Sequence, residues 1–274
     1  MRSDNNITES ESFYKDIDKM STREILEYIN DEDSKIVPII RSVVPSIEKL
    51  VGEVVIRMKK GGRLFYIGAG TSGRLGIVDA SEIPPTYGLD HGFVIGLIAG
   101  GDGAIRKAVE KAEDNEELGW NDLVAYNIDK EDTVVGIAAS GRTPYVIGAL
   151  RRARERGILT ACITSNPKTD LEKQSDIPIV VVTGPEFVTG STRMKAGTAQ
   201  KLILNMLTTA VMIKLGRVKG NKMVHMQLTN QKLVERGTKM IVEEMGIDSE
   251  KARNLLLLHG SVKKALDALG KNEG

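Results

Sequence analysis

From residue 63 onward the chain alternates between short uninterrupted apolar runs and longer stretches in which apolar residues recur every three or four positions. The runs are RLFYIG, FVIGLIAG, TVVGIAAS, LTACITSN and IPIVVVTG, each closing in a short stretch that holds Gly, Ser or Thr. Runs that are apolar throughout suit strands covered on both faces, and the helical spacing between them supplies the covers. The pattern predicts five parallel strands within about residues 63–183, wound with helices into a three-layer α/β sheet. Ahead of it, Ser21 with Glu24 three residues later reads as a capped helix start. Apolar residues from Ile36 through Ile47 and Val54 to Met58 then keep helical spacing until Gly61-Gly62. Behind the sheet, GSTRMKAGTAQKLILNMLTTAVMIKLG predicts a long helix apolar enough to be buried on several sides. The chain from Asn221 to Gly274 predicts further helices, broken at Gly246 and Gly260. The division read from this pattern is an N-terminal arm with helices over 1–52, the wound-sheet domain over 53–219 and a helical C-terminal region over 220–274.

Composition narrows the partners more than the fold. With 38 Lys+Arg against 37 Asp+Glu and 4% aromatic residues, there is no basic stripe with stacking platforms, and no nucleic-acid partner is expected. No stretch is long and apolar enough to span a bilayer, so no membrane partner is expected. The first residues, MRSDNNITESESFYKD, are polar and acidic and carry no apolar core of an export signal. A lone cysteine, Cys162, forms no internal disulfide, and together these features predict a cytoplasmic protein. His91, His225 and His259 lie far apart without metal-ligand spacing, so no metal is expected.

Ligands of wound parallel sheets bind beyond the carboxyl ends of the strands, which directs attention to the loops there. The first strand runs into Gly68-Ala69-Gly70-Thr71-Ser72-Gly73-Arg74, which satisfies G-x-G-x-x-G. A dinucleotide would also need an acid closing the second strand. That strand ends Leu97-Ile98-Ala99-Gly100-Gly101 instead, so no nicotinamide cofactor, and no cofactor of any kind, is expected. Thr71 and Ser72 place two hydroxyls beside a helix N-terminus, where free N–H groups favour an anion; a plain glycine turn with Ser72 as helix cap is the competing reading. A second small, hydroxyl-bearing loop, Ser140-Gly141-Arg142-Thr143-Pro144, follows the third strand. A third, Gly190-Ser191-Thr192-Arg193-Met194-Lys195, precedes the long helix. Converging on one crevice, Gly70, Thr71, Ser72, Ser140, Gly141, Arg142, Thr143, Ser191, Thr192 and Lys195 would cage a phosphate monoester through neutral donors and helix ends, with Arg193 and Lys195 open to either an ionic or a solvated role.

The segments GAGTSGRLGIVDASEIPPTYG, VVGIAASGRTPYVIGAL and VTGSTRMKAGTAQKLILNML resemble those of the N-acetylmuramic acid 6-phosphate etherase family, from about Asp16 to Gly216 and more loosely beyond. That resemblance implies a sugar isomerase (SIS) domain, a flavodoxin-like phosphosugar-binding fold, working as a homodimer on a small-molecule sugar phosphate. It implies a carbon–oxygen lyase of the hydro-lyase type that removes D-lactate from position 3 of the sugar, leaving N-acetylglucosamine 6-phosphate, in cell-wall sugar recycling. By the same resemblance Glu82, in Ser81-Glu82-Ile83-Pro84-Pro85, is a proton donor and Glu113 its acid/base partner. Which of the two serves each step stays open, and Glu113 read alone belongs to a solvated acidic stretch with Asp114, Glu116 and Glu117. Related phosphosugar-binding domains also act as sensors and as aldose–ketose isomerases. The arm departs from the family pattern, since Thr8-Glu9 is not followed by Asn-Pro.

Overall fold

The computed structural model describes residues 6–109 and 111–270. Met1–Asn5 at the head of the expected arm, Glu110, and residues 271–274 at the end of the expected helical region lie outside the described residues. In chain order, α1 (Thr22–Ser34), α2 (Ile36–Arg41) and α3 (Val44–Met58) precede β1 (Leu64–Gly68), which leads into α4 (Gly70–Ser81) and α5 (Ile83–Tyr87). Then β2 (Val94–Ile98) is followed by α6 (Gly103–Arg106) and α7 (Glu116–Val124), and β3 (Thr133–Ile137) by α8 (Pro144–Glu155). Next come β4 (Leu159–Thr164), α9 (Asp170–Lys173), β5 (Ile177–Val180), the long α10 (Lys195–Lys214), α11 (Gln231–Met245), α12 (Ser249–His259) and α13 (Val262–Gly270).

All five strands pair in parallel, in the order β2-β1-β3-β4-β5. The chain leaves β1 for β2 on one side and returns to β3 on the other, so connections diverge between β1 and β3. A crevice opens at such a point, at the carboxyl ends of those two strands. Alternate residues feed two cores: Leu64 and Tyr66 face α3 and α10, whereas Phe65 and Ile67 face α7 and α8. Each fully buried large aliphatic side chain contributes about 1.5–3 kcal/mol, which accounts for strands that are apolar on both faces. A third apolar cluster, centred on Ile241, Leu256 and Val262, joins α11, α12 and α13. Cys162 sits in β4 with no exposure, where burial pushes its thiol up to about 11. Among the described residues no helix is long and apolar enough to cross a membrane.

The structure differs from the sequence pattern in three places. The helix expected from about 34 to 60 breaks at Ser42-Val43, because Pro45, at the start of α3, has no N–H to offer the Arg41 carbonyl. The fifth run supplies a strand of only four residues at the sheet edge, where Pro178 is tolerated. Residues 221–230 are not helical; they pass through a Lys219–Lys222 bridge to Asn230, whose side chain caps α11.

Close approach of α7 to α8 depends on Gly119, where an added Cβ would lie 2.2 Å from the Tyr145 carbonyl oxygen. That atom is backbone and cannot swing aside. Gly119→Ala is expected to cost about 1–3 kcal/mol by forcing the two helices apart, read as a lower urea midpoint with unchanged slope. An unchanged midpoint would show that the helices separate freely.

Candidate active site

Each of the three hydroxyl-bearing loops contains a glycine in the left-handed region: Gly70 (φ 51°), Gly141 (φ 66°) and Gly190 (φ 74°). Gly141 has a second reason to lack a side chain, since a Cβ there would lie 2.5 Å from Thr169 Oγ1. The first and second loops are neighbours, because they leave the paired ends of β1 and β3, Gly68 and Ile137. The first and third meet at Gly197, whose virtual Cβ is 3.6 Å from the Thr192 carbonyl oxygen and 3.7 Å from Thr71 Cγ2. The hydroxyls of Thr71, Thr143, Ser191 and Thr192 make no hydrogen bond among the described residues, while the Ser140 hydroxyl accepts from the Arg142 N–H at 3.2 Å. Ser72 is not a helix cap: its hydroxyl donates to Gln200 Oε1 at 2.9 Å.

The third loop is held from beneath by charge. Glu186 accepts from the backbone N–H of Lys195 (2.8 Å) and of Ala196 (2.9 Å), satisfying the start of α10 with a carboxylate. Burial raises the Glu186 carboxyl above its usual range, against the pull of those two N–H groups. Lys195, expected as an anion ligand, is instead buried, its ammonium 2.5 Å from Glu32 Oε2. The other Glu32 oxygen accepts from Lys35 (2.5 Å) and from the Tyr14 hydroxyl (3.0 Å). Burial pushes the Glu32 carboxyl up, but the hydrogen bonds from Lys195, Lys35 and Tyr14 outweigh it and hold it below the usual range. Arg193 is exposed.

The arm joins the same rim. Thr8 is fully buried; its N–H donates to Asn166 Oδ1 (3.2 Å), and Asn166 Nδ2 donates to Thr8 Oγ1 and to the Ala139 carbonyl, both at 3.0 Å. Ser12 donates to the Phe187 carbonyl (2.7 Å) and to Thr189 Oγ1 (3.0 Å, from its N–H). Residues just before the second and third loops are thus tied to the start of the chain.

The two glutamates belong to different connections of the sheet. Glu113 lies in a 3-10 turn (Ala112–Asp114) between α6 and α7, packed against α8. Glu82 closes α4 and opens α5, so it stands at the opposite end of that helix from Thr71 and Ser72, roughly 15–17 Å away along the axis. Both side chains are exposed, and neither has a partner among the described residues. The backbone under Glu82 is firm. Its N–H donates to the Asp79 carbonyl at 3.3 Å, and the Asp79 carboxylate accepts from Tyr66 and Thr208, each at 3.2 Å. On the far side α5 ends at Gly88, where a Cβ would meet the His225 carbonyl oxygen at 2.0 Å, and the Gln227 N–H donates to the Pro85 carbonyl.

A wound sheet with hydroxyl-bearing loops at its strand ends has many users, and comparison with known proteins separates them. Residues 46–154 match the family described as glucokinase regulatory protein N-terminal SIS domain, and residues 105–210 the SIS domain. The chain resembles the phosphoheptose isomerase of Francisella tularensis in fold alone, at 17% identity and TM-score 0.54, over 70% of this chain and 98% of that one. It is far closer to the N-acetylmuramic acid 6-phosphate etherase of Bacteroides fragilis, 63% identical over 262 residues, which is 96% of this chain and 93% of that protein. The etherase of Porphyromonas gingivalis is 60% identical over 96% of each chain. The chain belongs to the N-acetylmuramic acid 6-phosphate etherase family. For an etherase of this family, Glu186, Gln200, the Glu32–Lys195 pair and the Thr8–Asn166 latch are the features that motif reading missed. Only the Glu186 cap carried a local signal, an acid shortly before a long helix.

Proposed function

We propose that this protein cleaves the D-lactyl ether of N-acetylmuramic acid 6-phosphate, giving N-acetylglucosamine 6-phosphate and D-lactate, as a cytoplasmic carbon–oxygen lyase of cell-wall sugar recycling. The observation that carries it is the relationship along 96% of the chain to proteins named for that activity; it is supported by exposed carboxyls at Glu82 and Glu113 and by the first and third hydroxyl-bearing loops meeting at Gly197. The phosphate is held by the hydroxyls and N–H groups of Gly70–Ser72, Ser140–Thr143 and Ser191–Thr192, acting with the start of α4 and without a metal. In the ring-opened sugar the aldehyde acidifies the C2 proton. One glutamate takes that proton as the other protonates the departing lactate oxygen, so that C2–H and C3–O break and a C2=C3 bond forms. Water then adds its oxygen to C3 and a proton to C2, and the pair of carboxyls returns to its starting state.

Glu82 and the phosphate loops lie too far apart in one chain to serve one small substrate. We therefore assign each site to two copies: the loops and Glu113 from one, Glu82 from its partner. Exposed apolar side chains on α2, α4 and α10, namely Val37, Val78 and Met206, support a dimer through that face. The C-terminal helices, with their own apolar cluster, are read as a separate unit over 220–274. The test is a product assay with authentic substrate. D-lactate and N-acetylglucosamine 6-phosphate should appear in equal amounts; a ketose phosphate without lactate would make the protein an isomerase, and binding without any product would make it a sensor.

A further inference from the structure

Gln200, in the second turn of α10, is 1% exposed, and its Nε2 has no acceptor. Its Oε1 accepts a hydrogen bond from Ser72, one of the hydroxyls expected to meet the phosphate. As it stands, Ser72 has nothing to give an anion, and a buried amide donor goes unmet, which is the more costly of the two ways to leave a carboxamide half-satisfied. A carboxamide has nearly the same outline in both orientations, so a half-turn about its last torsion exchanges oxygen and nitrogen without moving a neighbour. In the turned orientation Nε2 donates to Ser72 Oγ, and the hydroxyl proton is free to point elsewhere. The place it can point is the first turn of α4, where Thr71 lies against the third loop near Gly197.

We propose that Gln200 is a positioning residue for the phosphate site: with its carboxamide turned so that Nε2 donates to Ser72 Oγ, the Ser72 hydroxyl is left to donate to the anion. The inference rests on the reading of Ser72 as a phosphate donor. Turning leaves Oε1 without a donor, an easier state than an unmet N–H, and the amide's hydrogen bond to Ser72 Oγ strengthens the hydroxyl as a donor to negative charge.

Inorganic phosphate is the probe, titrated calorimetrically into the full-length protein and into Gln200→Leu, Ser72→Ala and the double variant. Each single change is expected to weaken binding about tenfold, the worth of one charge-assisted hydrogen bond, and the double variant to bind no worse than Ser72→Ala alone. Wild-type affinity in Gln200→Leu, or losses that multiply in the double variant, would overturn the inference. Gln200→Leu removes an unmet polar group at similar volume, so its melting temperature should hold; Gln200→Met serves if the branched side chain disturbs α10. In turnover, KM should rise with kcat within about twofold. Phosphate binding that obeys this cycle in a protein releasing no lactate would leave the inference standing and remove the etherase reading. A wild-type protein that binds no phosphate would remove the inference and the reading of Ser72 together.

Discussion

Glu82→Gln and Glu113→Gln should each lower lactate release by about 10²–10⁴-fold, the contribution of a positioned general acid or base, while phosphate affinity stays within about twofold. Glutamine keeps the size and a hydrogen-bonding tip but neither takes nor gives a proton at working pH. Both side chains are exposed in the single chain and lack internal partners among the described residues, so neither change should disturb stability. The decisive measurement is to mix the two inactive variants. If Glu82 reaches across to the partner's loops, random pairing in a two-fold dimer regenerates about a quarter of the wild-type sites, each with both glutamates intact. If both glutamates act within one chain, a mixture is as inactive as its parts. Recovery requires subunit exchange, so the variants are refolded together, with wild-type protein treated alike as reference.

Glu32→Ala is expected to be the most destabilising single change at the rim. It leaves the Lys195 ammonium buried and uncompensated, a situation that costs about 3–5 kcal/mol, equivalent to a melting temperature lower by roughly 6–20 °C in a chain of this size. Replacing both partners, Glu32→Leu with Lys195→Met, should lose much less. The pair also predicts a pH dependence. The Glu32 carboxyl is held below its usual range by its three donors. Its stabilisation is therefore complete above the ordinary carboxylate value of about 4.3 and disappears as pH falls below it through the folded value. Thermal melts of wild type and Glu32→Gln from pH 7 to 3 should converge at the acid end. Curves that stay parallel would show that the carboxylate is not the titrating group.

The sheet was legible because its strands are apolar on both faces and close in small residues, a signature that does not depend on distant contacts. Strand order was not, since nothing local tells β2 and β3 to settle on opposite sides of β1. The three loops could be named from glycine and hydroxyl content alone. The burial of Lys195 against Glu32 was not legible because the two are 163 residues apart, and a lysine at a helix start looks the same whether it faces solvent or a buried acid. The distance from Glu82 to the loops follows from unbroken helix over Gly70–Ser81, yet a motif read as a string treats neighbours in sequence as neighbours in space. The Ser72–Gln200 contact joins two motifs that were each read for themselves.

The lone thiol in β4 offers a practical handle. Cys162 is fully enclosed and its thiolate strongly disfavoured, so native protein should be blind to maleimides and nitroxide reagents. A cysteine introduced at position 82 or 113 would then be the single reactive sulfur in each subunit. Paired spin labels could report the separation of those positions across the assembled molecule without any background to subtract.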